Sequence, residues 1–316
     1  MGLCIVTVIA PWRWAEIHTT LGPTISGWSL SAHRAGNRHG GYRTGRENIM
    51  REMDKRRTKA GASGSRVGRN LLGQAQELIY NAWETADRKR RVALAQKAIG
   101  ISPDCADAYV LLAEETATLD EALEFYRKGV EAGERALGRH AFESDAGHFW
   151  GILETRPYMR ARAGLARCLW ESGKRDEALA HYRDMLRLNP NDNQGLRYVL
   201  VSCLLDLGRD EEITDLLKLY EDDAAAAFAW TVALLAFRRH NDSPESGEKL
   251  AAALESNPHV LAYMLGRKKL PRRLPDLIGF GDESEAICYA AENIDAWKAT
   301  EGALTWLAER VDTNTA

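Results

Sequence analysis

The chain has 316 residues, 45% of them hydrophobic, enough for one long repeat array or two ordinary domains. Its net charge of −3 conceals an asymmetry: residues 1–69 carry 12 Lys/Arg against 4 Asp/Glu, a net +8, while residues 70–316 carry 30 against 41, a net −11. An acidic body repels nucleic acid on average. The five cysteines (Cys4, Cys105, Cys168, Cys203, Cys288) are scattered without C-x-x-C spacing, which offers no zinc or dithiol motif and fits a reducing compartment.

Residues 1–69 show no sustained helical or strand period. Leu3–Ala10 is apolar and β-branched, but Pro11 stops it and it is too short to span a bilayer. No basic stretch precedes it, so it does not read as a secretory signal. Ser26–Arg69 is rich in Gly, Arg, Ser and His, the composition of a disordered basic leader. Met50 and Met53 stand as alternative starts just ahead of the organised region. The leader is read as having no folded role, against the competing reading of a basic arm for an anionic surface.

From residue 70 the pattern becomes helical. The first expected hairpin pairs 70–84 with a helix opening at Asp87 and closed by Ser102-Pro103. The second spans 106–117 and 120–134, the third 157–171 and 175–188, the fourth 193–207 and 210–221, and the fifth 224–240 and 243–256. Gly173 and Gly208 fall in turns, and Ser243-Pro244 reads as cap and first-turn residue. A short helix to Leu265 and a basic loop follow, then two closing helices at about 283–293 and 295–310. One phrase recurs: DEALEFYR at 120–127 returns as DEALAHYR at 176–183, with a weaker copy at 209–217. Asp120, Glu121, Ala122, Leu123 and Tyr126 thus match Asp176, Glu177, Ala178, Leu179 and Tyr182. Repeated helical hairpins cannot bury their apolar faces alone, so they stack.

The third hairpin resembles a tetratricopeptide repeat, with Leu165, Ala166 and Leu169 on the first helix's packing positions and Ala178, Tyr182 and Met185 on the second's. Arg162 stands where that pattern usually has Trp, and Ile213 where the fourth hairpin should have a small residue. The fold expected is all-α: a tetratricopeptide-like α-solenoid of about five hairpins with a C-terminal helical cap, over 70–312. Residues 133–156 interrupt the period as an insert. Its His140, Glu143, Asp145 and His148 match no zinc spacing, and Phe142, Phe149 and Trp150 read as packing the loop down.

The C-terminal part resembles the suppressor-of-tumorigenicity-7 family over about 160–310, through NPHV at 257–260, GDESEAICYA at 281–290 and WKATEGAL at 297–304. That family is not known for catalysis, so the resemblance implies no catalytic residues. Its animal members carry membrane segments ahead of the repeats; this chain offers only Leu3–Ala10 there, and no membrane span and a cytoplasmic location are expected.

Function is read as a non-catalytic protein-interaction scaffold. First helices of such stacks line a groove, which would place Arg156, Arg160, Arg167 and Trp170, with Tyr198 and Ser202 of the next hairpin, toward a peptide or protein partner. Arginine forks suit carboxylates, so an acidic peptide is the sharper form of this expectation. The bland form is that these arginines pair with neighbouring Glu or Asp. An alternative is nucleic-acid or anionic-surface binding by the loop 266–275, through Arg267, Lys268, Lys269, Arg272 and Arg273, which lacks interleaved aromatics for base stacking. No G-x-S-x-G, P-loop or dinucleotide turn points to an enzyme. Gly279–Asp282 reads as a turn and cap, with Asp282 and Glu285 as a capping box. No cofactor or metal is expected.

Overall fold

Capping chemistry sets the helix starts in the computed structural model, which describes residues 66–275 and 277–312. The Leu3–Ala10 expectation and the expected leader, 1–69, lie outside those residues except for 66–69, which form the first turn of a helix. The described residues form two compact units, the first ending at His181 and the second beginning at Tyr182.

In the first unit, α1 (Arg66–Trp83) and α2 (Arg88–Ile101) make one hairpin, α3 (Ala106–Glu114) and α4 (Leu119–Leu137) the next. Asp87 caps α2 by accepting from the Lys89 amide, and Thr118 caps α4 by accepting from that of Glu121. Asp120 and Glu121, from the repeated phrase, place negative charge on the first turn of α4, where the helix dipole favours it. α6 (Arg156–Glu171) begins with Pro157 in its first turn, and α7 (Arg175–Leu188) follows after a turn at Gly173, whose φ of +82° a residue with a Cβ adopts poorly. The first helices α1, α3 and α6 pack side by side as one layer, and α2 and α4 back it. Ala75, Ile79, Ala82, Ala95, Ala98, Cys105, Ala108 and Leu111 form the core of the first two hairpins.

Small residues let α4 and α6 approach closely. Gly129 lies against Ala161, and Gly133 against Tyr158. Gly164 leaves the space that the ring of Tyr126, the aromatic of the repeated phrase, occupies. The insert folds onto this pair. Helix α4 runs five residues into it before α5 (Arg139–Ser144) and two 3-10 turns, Phe149–Gly151 and Leu153–Thr155. Phe149 is fully buried, and Phe142, Phe149 and Tyr158 form an aromatic cluster with centroids 5.0–6.2 Å apart.

The second unit continues with α8 (Leu196–Asp206) and α9 (Asp210–Leu219), then α10 (Ala226–His240) and α11 (Pro244–Ser256). Ser243 and Ser246 make a reciprocal capping box at the start of α11. After α12 (Val260–Met264) and the basic loop come α13 (Glu283–Ala299) and α14 (Ala303–Asp312). The two closing helices are therefore divided differently from expectation. Helix α13 runs through Asn293, whose side-chain amide donates back to the Tyr289 carbonyl instead of capping a new helix. The break falls at Thr300–Gly302. Helix α13 packs against both α8 and α10, and α14 against α10. Trp230, fully buried on α10, meets Tyr289 and Trp297 of α13 at 6.3 and 6.1 Å, and Phe237 stacks on Trp306 at 4.7 Å.

Cys105 and Cys168 in the first unit and Cys203 and Cys288 in the second are free and buried. Burial pushes the Cys105 and Cys288 thiols up to about 12 and that of Cys168 to about 11. No helix among the described residues is long and apolar enough to cross a membrane.

Gly164→Ala drives a methyl into the buried Tyr126 ring and is expected to destabilise by about 1–3 kcal/mol in urea unfolding. Gly73→Ala on α1, where a Cβ meets nothing within 4 Å, is expected to stabilise by about 0.5–1 kcal/mol.

Candidate functional site

The layer of first helices in the first unit carries charge at its centre. Asp107 on α3 is completely buried, and a lone carboxylate there would be costly. It is met by a two-point fork from Arg160 on α6, Nε to Oδ1 at 2.8 Å and Nη2 to Oδ2 at 2.5 Å, and by Gln76 Nε2 from α1 at 2.8 Å. The Arg160 guanidinium also lies over the Trp83 ring, 5.4 Å from its centroid, with Tyr80 beside that ring at 6.1 Å. Tyr80 is 45% exposed.

Two turns further along α6, Arg167 donates to the Tyr126 hydroxyl at 3.2 Å, while its buried Nε has no hydrogen-bond partner. Glu171, one turn on, likewise has a buried Oε1 without one. Desolvation raises the Glu171 carboxyl above its usual range against the pull of Arg167. Between the two arginines, Glu114 on α3 keeps an exposed side chain. Desolvation nonetheless pushes it up to about 7; Asp107 and Glu115 reinforce the shift, and Arg167 and Arg160 oppose it. The face therefore reads, along α6, as a satisfied ion pair, a carboxyl that titrates near neutrality, and a guanidinium with one unmet donor.

The structure brings together Arg160 and Arg167 of the six residues expected from sequence, and places the others elsewhere. Arg156 donates from Nε to the Trp150 carbonyl at 3.0 Å and lies over that ring, tying the insert to α6. Trp170 is buried, with the Arg175 guanidinium 4.0 Å from its ring centroid. In the second unit, Tyr198 is held between Arg197 and Asp223, donating to Asp223 Oδ2 at 2.9 Å. Ser202 is buried where Glu292 of α13 faces it. Desolvation pushes Glu292 up to about 8; the Ser202 hydroxyl opposes this and Asp206 adds to it. Gln76, Tyr80, Trp83, Asp107 and Glu114 were not singled out from the sequence. The partners Asp107 and Arg160 stand 53 residues apart, and only the side-by-side packing of first helices joins them.

The α13 face of the second unit is pinned by a buried polar joint. Glu285 accepts from the Ala226 amide at 2.8 Å, the Gly281 amide at 2.7 Å and Asn257 Nδ2 at 2.9 Å. Trp230 Nε1 donates to the Asn257 carbonyl at 3.2 Å. Asp282 caps α13 through the Ser284 and Glu285 amides, but Glu285 turns to this joint rather than closing a capping box. The phrases at 257–260 and 281–290 thus meet in space. In the basic loop, Lys268 pairs with Glu283 at 2.5 Å, and all five cations are exposed. Among the described residues no group of three or more His, Cys, Asp and Glu could hold a metal ion. His181 accepts from Arg162 Nε at 3.1 Å.

Removing Arg160 strands the buried Asp107. Arg160→Ala is expected to cost about 3–5 kcal/mol in denaturant unfolding, and Asp107→Leu in that background to restore part of it. Glu292 binds its proton more tightly when folded than unfolded. Its contribution is therefore complete at low pH and is lost as pH rises through the usual Glu range to about 8. Thermal scans between pH 6 and 9 should show this fall, and Glu292→Gln should reduce it.

A family profile described as ST7 protein matches residues 69–313. The suppressor of tumorigenicity 7 protein-like protein of Bos taurus is 30% identical over 260 residues, covering 74% of this chain and 46% of that protein. The suppressor of tumorigenicity 7 protein of Macaca fascicularis is 28% identical over 284 residues, covering 75% and 52% respectively. The chain thus spans about half the length of these relatives. Among solved structures, YrrB, a TPR protein with an unusual peptide-binding site, aligns with a TM-score of 0.39 and 20% identity over 59% of this chain and 81% of that one. With the profile spanning both units from the first turn of α1 through α14, the chain belongs to the ST7 protein family.

Proposed function

We propose that the chain is a non-catalytic protein-interaction scaffold, and that the layer formed by α1, α3 and α6 takes an extended peptide segment presenting a carboxylate. The observation that carries this reading is Arg167. It is cationic at any physiological pH, its Nε donor is unmet, and it borders a face with Tyr80, Trp83 and Arg160. A guanidinium donor left without a partner suits a carboxylate that reaches it, and neighbouring aromatics supply contact area at small entropic cost. Arg160 serves this face as the structural anchor of Asp107, so Arg167 is the residue that reads the ligand. In the second unit Tyr198 is engaged by Asp223 and Ser202 is buried, which favours the first unit as the site. Nothing in the insert arranges a nucleophile beside a base.

Glu114 supplies an internal competitor. Ionised, it draws on Arg167; protonated, it leaves that cation to the ligand. With its carboxyl titrating near 7, affinity for an acidic peptide is expected to rise as pH falls from about 8 to 6. The test is fluorescence anisotropy with a labelled acidic peptide ending in a free carboxylate, beside its amidated and basic counterparts. Arg167→Gln is expected to weaken the acidic peptide about 10–100-fold, and Glu114→Gln to flatten the pH dependence. Equal affinity for wild type and Arg167→Gln, or for acidic and basic peptides, overturns the reading.

A further inference from the structure

The stretch between α12 and α13 combines two properties that the face on the first unit lacks. Arg267, Lys268, Lys269, Arg272 and Arg273 are all exposed. Lys268 pairs with Glu283, and Lys269 and Arg272 are exposed beside it. In the same stretch three large apolar side chains are exposed: Leu270 at 40%, Leu277 at 62% and Phe280 at 42%. They are three of the eight exposed large hydrophobics among the described residues, gathered within eleven positions of the chain. The other five are spread over residues 67–219, so the stretch holds the densest such group in the second unit.

The stretch is also held in place. The Lys268 amide donates to the Ala262 carbonyl at 2.9 Å, and its ammonium lies 5.9 Å from the centroid of the Tyr263 ring. Tyr263 itself donates to Glu283 at 2.8 Å. At the far end, Ile278 is buried and the Gly279 amide donates to Ser284 Oγ at 3.0 Å. The stretch is therefore tied down at both ends, which limits the ordering lost on docking.

We propose that this loop docks on an anionic lipid surface, the cations meeting headgroups and Leu270, Leu277 and Phe280 entering the boundary between headgroups and acyl chains. Charge complementarity selects an anionic partner. The aliphatic side chains select lipid over nucleic acid, because phosphate contacts have no use for Leu270 or Leu277, and a single exposed ring is a poor stacking platform. Clustered cations contribute roughly equal increments near such a surface, and buried apolar area adds to them.

The experiment is vesicle co-sedimentation of the full chain, with phosphatidylcholine vesicles and with vesicles in which about 30 mol% is phosphatidylserine. Binding is expected only to the anionic vesicles and should weaken as salt rises. Lys269→Ala with Arg272→Ala is expected to lower the partition coefficient roughly tenfold or more. Leu277→Ser with Phe280→Ser should lower it by a similar factor. All four side chains are exposed, and circular dichroism checks that the variants keep their helices. Wild-type-like partitioning of the apolar double variant overturns the proposal, as does absence of wild-type binding. Retention of a labelled poly-U RNA by the apolar variant, with vesicle binding unchanged from wild type, reassigns the loop to polyanion binding and also overturns it.

Discussion

Two helices joined by a short turn bury only the face they share, and the opposite face must be covered by something else. In the first unit that demand is met sideways: α1, α3 and α6 lie against one another, with α2 and α4 behind. The close contact of α4 and α6 depends on side chains that are barely there, Gly129, Gly133 and Gly164. In the second unit the demand is met differently. Helix α13 lies against both α8 and α10, and its Tyr289 and Trp297 enclose Trp230. The same hairpin motif thus ends with a charged face in one unit and a covered one in the other.

Electrostatics follow from that difference. A buried carboxylate is tolerable when a fork of donors meets it, and Asp107 has both Arg160 and Gln76. Glu285 is satisfied by two backbone amides and Asn257, so it fixes the entry of α13 in place of a cation. Glu292 has no such complete set, and desolvation pushes its carboxyl up to about 8. Incomplete satisfaction is what turns a structural acid into one that responds to pH.

Much of the hairpin layout was legible before any coordinates. Proline after Ser102 and Asn257, glycine at 173 and 208, and the caps at Asp87 and Ser243 are local signals, and local physics decides helix ends. Long-range partnerships were not legible. Periodicity shows that a face is apolar, but not that α13 returns to cover α8, nor that Asp107 will meet a residue 53 positions on. The break in the closing helices, expected near 293–295, falls instead at Thr300–Gly302, and the Asn293 amide bonds a carbonyl one turn back within the helix. Of the residues expected to bind, spacing along α6 put Arg160 and Arg167 on one side of the helix. It could not show that one would be saturated and the other left with an unmet donor.

The four buried thiols make the molecule its own gauge of breathing motions. The thiols of Cys105, Cys168 and Cys288, with pKa values near 11 or 12, hold almost no thiolate at neutral pH, and all four side chains are covered by packed helices. Alkylation therefore waits for the surrounding helices to part. Because Cys105 and Cys168 lie in one unit and Cys203 and Cys288 in the other, peptide-resolved labelling rates separate the opening of α3 and α6 from that of α8 and α13. The unit that yields first is the one whose helices part at the lower free-energy cost.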